Sequence, residues 1–450
     1  AVCSPPRRYR ADTVTEGGIT VAELLELSSR IIDSGELSEP ANRITNELTE
    51  VADGLAIVES FSHVWSIDTS DGLVCFDASH ANTGGAVVAA LREWRTDRID
   101  TLVYTHGHVD HVGGSGAMVA DASNRGHRQP RVVAHEAVAA RFERYRRTND
   151  WNIGINARQF GGVRAAGLGL VTGDDDRFLP RDVAEPDVAF ARATTLRVGD
   201  TTMELHHARG ETDDHTWTWW PEQRAVFCGD LFIWMFPNAG NPQKVQRHAG
   251  EWAAALRSMA ALRPALLCPA HGLPVEGEAR VATALDNTAT ALEHLVDSTV
   301  ALMNQGADLD TIIHTVRVPD TLADLPYLLP LYDEPEFVVR NVWRLYGGWW
   351  DGDPSTLKPA PRRQLATELA ALAGGAVDLA ARALVLADEG DLPLACHLAE
   401  IAADAAPDDR GVHEARQEVY RRRRAEATSL MAKGIYAGAM RESAAVLDPD

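Results

Sequence analysis

Cysteine is scarce and scattered in this chain. The five in 450 residues (Cys3, Cys75, Cys228, Cys268, Cys396) include no pair at ligand spacing. Neither a disulfide framework nor a cysteine-built metal site is expected; reduced thiols in a cytoplasmic setting are. Positive charge is also short, with 43 Lys and Arg against 65 Asp and Glu, a formal charge of -22. Such a field excludes nucleic acid and anionic membrane as natural partners. A small anionic substrate stays open, because a buried dication reverses the local potential. No apolar run reaches the ~18 residues of a membrane span, and the N-terminal AVCSPPRRYRADTV lacks the apolar stretch of a secretion signal. No Gly-x-Ser-x-Gly elbow is present, so a serine nucleophile is not expected.

What is there describes an ordinary globular chain, 45% hydrophobic and 24% charged, long enough for two or three domains. Residues 1–50 read as a polar arm with one helix, TVAELLELSSRIIDSG, capped by Thr20 and stopped by Gly35. From Val51 short β-branched runs set in: GLAIVES, HVWSIDTSDGLVCFDAS, DTLVYTH, RVVAHE, TTLRVGDTTMELHHA, TWTWW, RAVFCGD and PALLCPAHG. Helical patterns such as GGAVVAALREWR lie between them, which predicts a layered α/β domain over 51–285. Strands then disappear. Residues 286–450 read as helical, with a Pro- and aromatic-rich segment at 319–359 and a helix–turn–helix hairpin around DEGD, Asp388 to Asp391.

One turn stands out. THGHVDHVGG places His106, His108, Asp110 and His111 within six positions, after the apolar run TLVY and before Gly113-Gly114, which can open a helix. Alternate residues 106 and 108 can converge on one ion, while 110 and 111 point elsewhere and suit a second. Imidazole with carboxylate favours Zn or first-row metals such as Fe and Mn over Ca. Four ligands cannot close a two-metal site, so later strand ends must supply the rest. HHARGETDDH offers His206, His207, Glu211, Asp213, Asp214 and His215; FCGD offers Asp230; CPAHG offers His271.

THGHVDHVGG, GETDDH, GD and AHG, in that order along 51–280, resemble the metallo-β-lactamase-fold hydrolases. The resemblance implies an αββα sandwich followed by an all-α domain. Where that family has a His in a Gly-His-Thr turn, this chain reads Gly210-Glu211-Thr212, as do the alkylsulfatase branch and a branch of di-iron oxygenases. YDEPEFVVRNVWRLYGGWWDGDPSTLKP, Tyr332 to Pro359, resembles the alkylsulfatase dimerisation domain, which implies a homodimer. The bridging carboxylate is Asp230 where alkylsulfatases typically carry Glu. The larger alkylsulfatases also carry a lipid-carrier-like domain after this point, which leads us to expect a shorter substrate than a long-chain detergent.

By this resemblance His106, His108 and Glu211 hold one divalent ion, and Asp110, His111 and His271 the other. Asp230 bridges the two, and Asp110 and Asp230 count as catalytic as well as ligating. The ions are expected to be zinc, with iron or manganese as alternatives. The expected reaction is hydrolysis of a sulfate ester or related anionic ester by an activated water; the alternative is a di-iron oxygenase. Asn238, Asn241, Lys244 and Arg247 lie in the loop expected to clamp the anion. Trp234, close to Asp230, is expected to line an apolar pocket. His215 is expected to support a ligand by hydrogen bonding, and His63, His80 and His135 to be structural or surface residues.

Overall fold

The computed structural model describes residues 21–160 and 177–449. Two sheets face each other. The first has seven strands in sequence order: β1 (Leu48–Ala52), β2 (Leu55–Val58), β3 (Val64–Thr69), β4 (Gly72–Phe76), β5 (Ile99–Val103), β6 (Arg131–His135) and β7 (Val188–Phe190). It is antiparallel from β1 to β4 and parallel from β4 to β7. The second holds β8 (Ala193–Val198), β9 (Thr201–His207), β10 (Thr216–Trp220), β11 (Ala225–Gly229), β12 (Leu266–Pro269) and β13 (Val275–Glu276), in the order β13-β12-β11-β10-β9-β8. Its one parallel pairing is β11 with β12.

Strand alternation separates two cores. From β4 and β5, Val74, Phe76 and Val103 point between the sheets, where Phe76 stacks on Phe227 of β11 with ring centroids 4.0 Å apart. Leu73, Cys75 and Leu102 point the other way, against Val87, Leu91, Met118 and Phe142 of the helices Ala81–Trp94, Ser115–Arg125 and Ala137–Arg147. On the second sheet, Thr218 pairs with Phe227 and shares its inner face, so Trp217 and Trp219 turn outward. Both are buried there, as the alternation in TWTWW predicts. Helices Ala249–Ala261 and Glu278–Asn304 cover that side with Trp252, Leu256, Leu285 and Leu292.

Every expected strand run forms a strand. The helix Val21–Ser34 stops at Gly35, whose φ of +70° and N–H bond to the Ile31 carbonyl (3.0 Å) end it as predicted; its expected cap, Thr20, lies outside the described residues. Two expected boundaries fall inside elements. β1 begins inside the expected arm, and the expected break at 285 falls within the 27-residue helix Glu278–Asn304, which belongs physically with the sandwich. The hairpin around Asp388–Asp391 is the pair Ala376–Asp388 and Leu392–Ala405, turned by Gly390 at φ +87°. Arg410–Glu426 and Leu430–Leu447 complete the tail. Among the described residues no single helix is long and apolar enough to cross a membrane, and the four described cysteines are free.

Candidate metal centre

The carboxyl ends of β4, β5, β9, β11 and β12 open at one edge of the sandwich, and the polar side chains of each following loop meet there. The backbone ties these loops together across the two sheets. Thr216 N–H donates to the Thr105 carbonyl (2.6 Å), and His63 N–H to that of Ala270 (2.6 Å).

Seven residues form two groups. His106, His108, Glu211 and Asp230 each bring one ligand-capable atom to within 4.8 Å of the others, and so do Asp110, His111 and His271. Glu211 Oε2 lies 3.6 Å from both His106 Nε2 and His108 Nδ1. Asp110 Oδ2 lies 3.6 Å from His111 Nε2 and 3.4 Å from His271 Nε2. Asp230 stands between the groups: its Oδ2 is 3.3 Å from His111 Nε2 and 3.9 Å from His106 Nε2, its Oδ1 3.7 Å from His271 Nε2.

The donor set fits divalent cations. His111 Nε2, Glu211 Oε2 and Asp230 Oδ1 are buried with no hydrogen-bond partner among the described residues, a costly state for polar atoms unless something binds them. Charge says the same. Burial, reinforced by Asp230 and Asp110 and opposed by Arg247, pushes the Glu211 carboxyl up to about 8. Burial also opposes charge on His111, yet Asp230, Asp110 and Asp77 outweigh it and hold that imidazole well above its ordinary range. Protons gather where positive charge is wanted.

Around the seven lies a supporting layer. His215 Nε2 accepts the Asp230 N–H (3.1 Å), and its ring stacks on His106 at 4.9 Å. Asp77, with φ +63°, accepts from Thr105 N–H and Oγ1–H (both 2.7 Å) and lies 2.8 Å from His111 Nδ1. Arg141 pairs with Asp213 and, at 2.6 Å, with Asp214, whose Oδ2 also takes the Gly107 N–H at 3.2 Å. Sequence reasoning missed Asp77 and Arg141. Asp77 had a signal, a carboxylate directly after the apolar strand beside β5; Arg141 had none. His206 and His207 stay outside, stacked on Trp217 and His135 respectively. His63, His80 and His135 are buried structural residues: His63 Nε2 accepts the Gly272 N–H, and His80 caps the helix Ala81–Trp94.

The cluster floors a cavity of about 520 Å³. Asn238, Asn241, Lys244 and Arg247 all line it. Arg247 donates to the Glu211 carbonyl and Asn238 to the Glu211 carboxylate; Lys244 Nζ donates to Asn156 Oδ1 (3.0 Å). Asn241 Nδ2 and Arg247 Nε are buried without partners among the described residues. Further out the wall is apolar, with Phe61, Ile155, Phe160, Ile233, Met235 and Leu430. Trp234 is a correction. It turns away with φ +57°, is 1% exposed, and donates its indole N–H to the Leu273 carbonyl (2.6 Å), leaving Ile233 and Met235 on the cavity.

This sandwich, with its strand-end cluster, is that of a metallo-β-lactamase-fold protein. Residues 58–271 match the metallo-beta-lactamase superfamily, and residues 308–445 match the alkyl sulfatase dimerisation domain. The chain belongs to the metallo-β-lactamase superfamily, in the branch that joins this fold to an alkyl sulfatase dimerisation domain. It is 25% identical over 377 residues to a linear primary-alkylsulfatase of a Pseudomonas species, covering 79% of this chain and 69% of that one. To an alkyl/aryl-sulfatase of Saccharomyces cerevisiae it is 24% identical, covering 71% and 50%. The solved structure of a stereoselective inverting sec-alkylsulfatase from Pseudomonas superposes with a TM-score of 0.78 at 21% identity, covering 88% of this chain and 65% of that one. The chain thus spans between half and about two thirds of the length of these relatives.

Proposed function

We propose that this protein is a metal-dependent hydrolase that cleaves a sulfate ester, or a closely related anionic ester, with water. One observation carries the reading: two ligand groups, with Asp230 of the first reaching His111 and His271 of the second, floor a cavity whose next layer is amide and cation and whose outer wall is apolar. His106, His108 and Glu211 would hold one divalent ion, and Asp110, His111 and His271 the other, with Asp230 between them. When bound, such a pair acts as a Lewis acid and lowers the pKa of coordinated water toward neutrality.

The chain's own residues do the rest. Asp110 and Asp230 line the cavity floor, where either carboxylate would accept a proton from an attacking water. Arg247 Nε and Asn241 Nδ2 are donors without an acceptor among the described residues, and Lys244 adds a cation; together they suit the oxygens of a sulfate group. The apolar wall takes the organic part of the ester and excludes water from the leaving group. The alkylsulfatase names of the relatives support this substrate class. We further propose a homodimer, supported by Leu345, Tyr346, Trp349 and Leu357 standing exposed in the dimerisation region; light scattering at the mass of one chain refutes it.

The test is metal content by mass spectrometry on protein purified without chelator, followed by sulfate release from short and medium alkyl sulfates. About two zinc ions per chain and released sulfate are expected. About two iron ions with an optical band that responds to reduction and oxygen, and no sulfate release, overturn the hydrolase in favour of an oxygenase.

A further inference from the structure

We propose that the helical C-terminal unit shapes the anion-binding loop, with Asp333 and Asn341 as positioning residues acting through Asn238, Asn241 and Arg247. This rests on the anionic-ester reading above. Within 237–247 the backbone makes few bonds of its own: Ala239 N–H reaches the Pro237 carbonyl and Lys244 N–H, at 3.3 Å, that of Asn241. Its conformation is set from outside.

Asp333, fully buried, takes the N–H groups of Gly240 (2.6 Å) and Asn241 (3.1 Å) on Oδ2 and that of Glu334 (2.7 Å) on Oδ1. Asn341, on the helix Pro335–Gly347, donates from Nδ2 to the carbonyls of Ala239 (3.1 Å) and Gly240 (2.8 Å). Its Oδ1 receives the Gln246 side chain (2.6 Å) and the Arg247 N–H (3.4 Å). The loop is therefore pinned by one helix at both ends of the segment that presents its donors. Contact is tight: a Cβ at Gly240 would stand 2.5 Å from Phe337.

The same unit also backs the opposite wall. Gly434, on Leu430–Leu447, lies flush on the Gln159 carbonyl at the end of the helix Asn149–Gln159, which lines the cavity with Asn152, Ile155 and Asn156. Its N-terminal N–H groups, Leu430 and Met431, bond the carbonyls of Leu331 and Tyr332, and Leu331, Tyr332 and Leu430 all line the cavity. The helical unit thus lines the cavity with Leu331, Tyr332 and Leu430 and braces two further segments of its wall, besides any role in pairing chains.

The experiment compares D333A, D333N and N341A with wild type and with D353A, which alters only the cap of the exposed helix Pro354–Leu357. Metal content, inorganic sulfate affinity by calorimetry, KM and kcat on an alkyl sulfate, and amide exchange at Gly240 and Asn241 are read. Expected are a rise of about 10–100-fold in sulfate Kd and KM for D333A and N341A, the scale of one or two weakened hydrogen bonds to a charged group. Metal content should hold, kcat should change far less, exchange should quicken, and D333N, which keeps an accepting oxygen, should recover part of the loss. Wild-type sulfate affinity in folded D333A and N341A overturns the proposal, as does a loss that tracks metal content. If wild type neither binds sulfate nor hydrolyses the ester, the functional reading falls. Exchange then decides the positioning role alone: unchanged rates refute it and faster rates sustain it.

Discussion

Replacing Asp77 by Asn separates metal affinity from fold stability, and the two should move independently. Asp77 has one oxygen near the His111 Nδ1 (2.8 Å) and takes two bonds from Thr105. In the neutral His111 that a metal requires, with Nδ1 donating to Asp77, Nε2 keeps a lone pair, and Nε2 is the buried atom without a partner among the described residues. An amide can hold the Thr105 N–H through its oxygen, but its NH₂ then faces His111 Nδ1 and favours the tautomer with the proton on Nε2, which cannot ligate. Losing such a supporting partner weakens metal binding about 10–100-fold, or ~1.4–2.7 kcal/mol. Stability without metal should not follow. Burial already pushes the Asp77 carboxyl above its ordinary range, so its charge opposes folding at neutral pH, and the neutral amide removes that opposition. Competition against a chromophoric chelator at neutral pH measures the first quantity and urea unfolding of metal-free protein the second. Metal affinity within twofold of wild type would refute the tautomer argument.

The remaining expectations concern the cavity wall. Burial, aided by Arg247, pulls the Lys244 ammonium down to about 7; it is a cation below that pH and an amine above it. Sulfate should therefore bind more weakly as pH rises through about 7, and above that pH its binding should take up a proton. K244M should weaken sulfate about tenfold at low pH, the scale of a charged hydrogen bond, and flatten that slope; calorimetry in two buffers reads both, and a slope retained in K244M assigns it elsewhere. Arg141 is 2% exposed and holds the fully buried Asp214. R141M strands that carboxylate and should destabilise the fold by about 3–5 kcal/mol, with D214N in the same chain recovering much of it. Urea unfolding giving R141M wild-type stability would show the pair to be idle.

How much of this was legible in the sequence follows from how each residue is held. The seven ligand candidates lie in the segments that follow four strands, and strand ends converge in a sandwich whatever the loops do, so spacing and texture were enough to collect them. Asp77 obeys the same rule after LVCF and was passed over because it carries no histidine beside it. Arg141 and Asn341 lie inside amphipathic helices, and their partners are roughly 70 and 100 residues away; no local pattern marks them. Trp234 failed for a local reason. Nearness to Asp230 said nothing about the positive φ that turns the indole under the loop while Ile233 and Met235 take the cavity. The division at 285 lies between the two matched regions, 58–271 and 308–445, yet inside the helix Glu278–Asn304, because loss of strands marks the end of the sheets and not of the helices packed on them.

Glutamate at position 211 joins the two halves of the site. Its Oε2 faces His106 and His108, while its Oε1 takes the Asn238 amide and lies 3.7 Å from Arg247. An imidazole in that place could face a metal, but it has no second carboxylate oxygen to receive two donors from the anion-binding loop. Glutamate therefore makes one residue both a ligand candidate and an anchor for Asn238 and Arg247. The buried carboxylates Asp77, Glu211 and Asp230 and the half-buried Asp110 face few cations, since Arg141 is already taken by Asp213 and Asp214. A divalent ion would balance them, and its charge would pull Glu211 down from about 8 into its ionised form, strengthening the bonds from Asn238 and Arg247. Metal loading should then order the substrate loop. The measurement is amide exchange across 238–247 with and without metal: slower exchange on loading is expected, and equal rates would mean that Glu211 couples nothing.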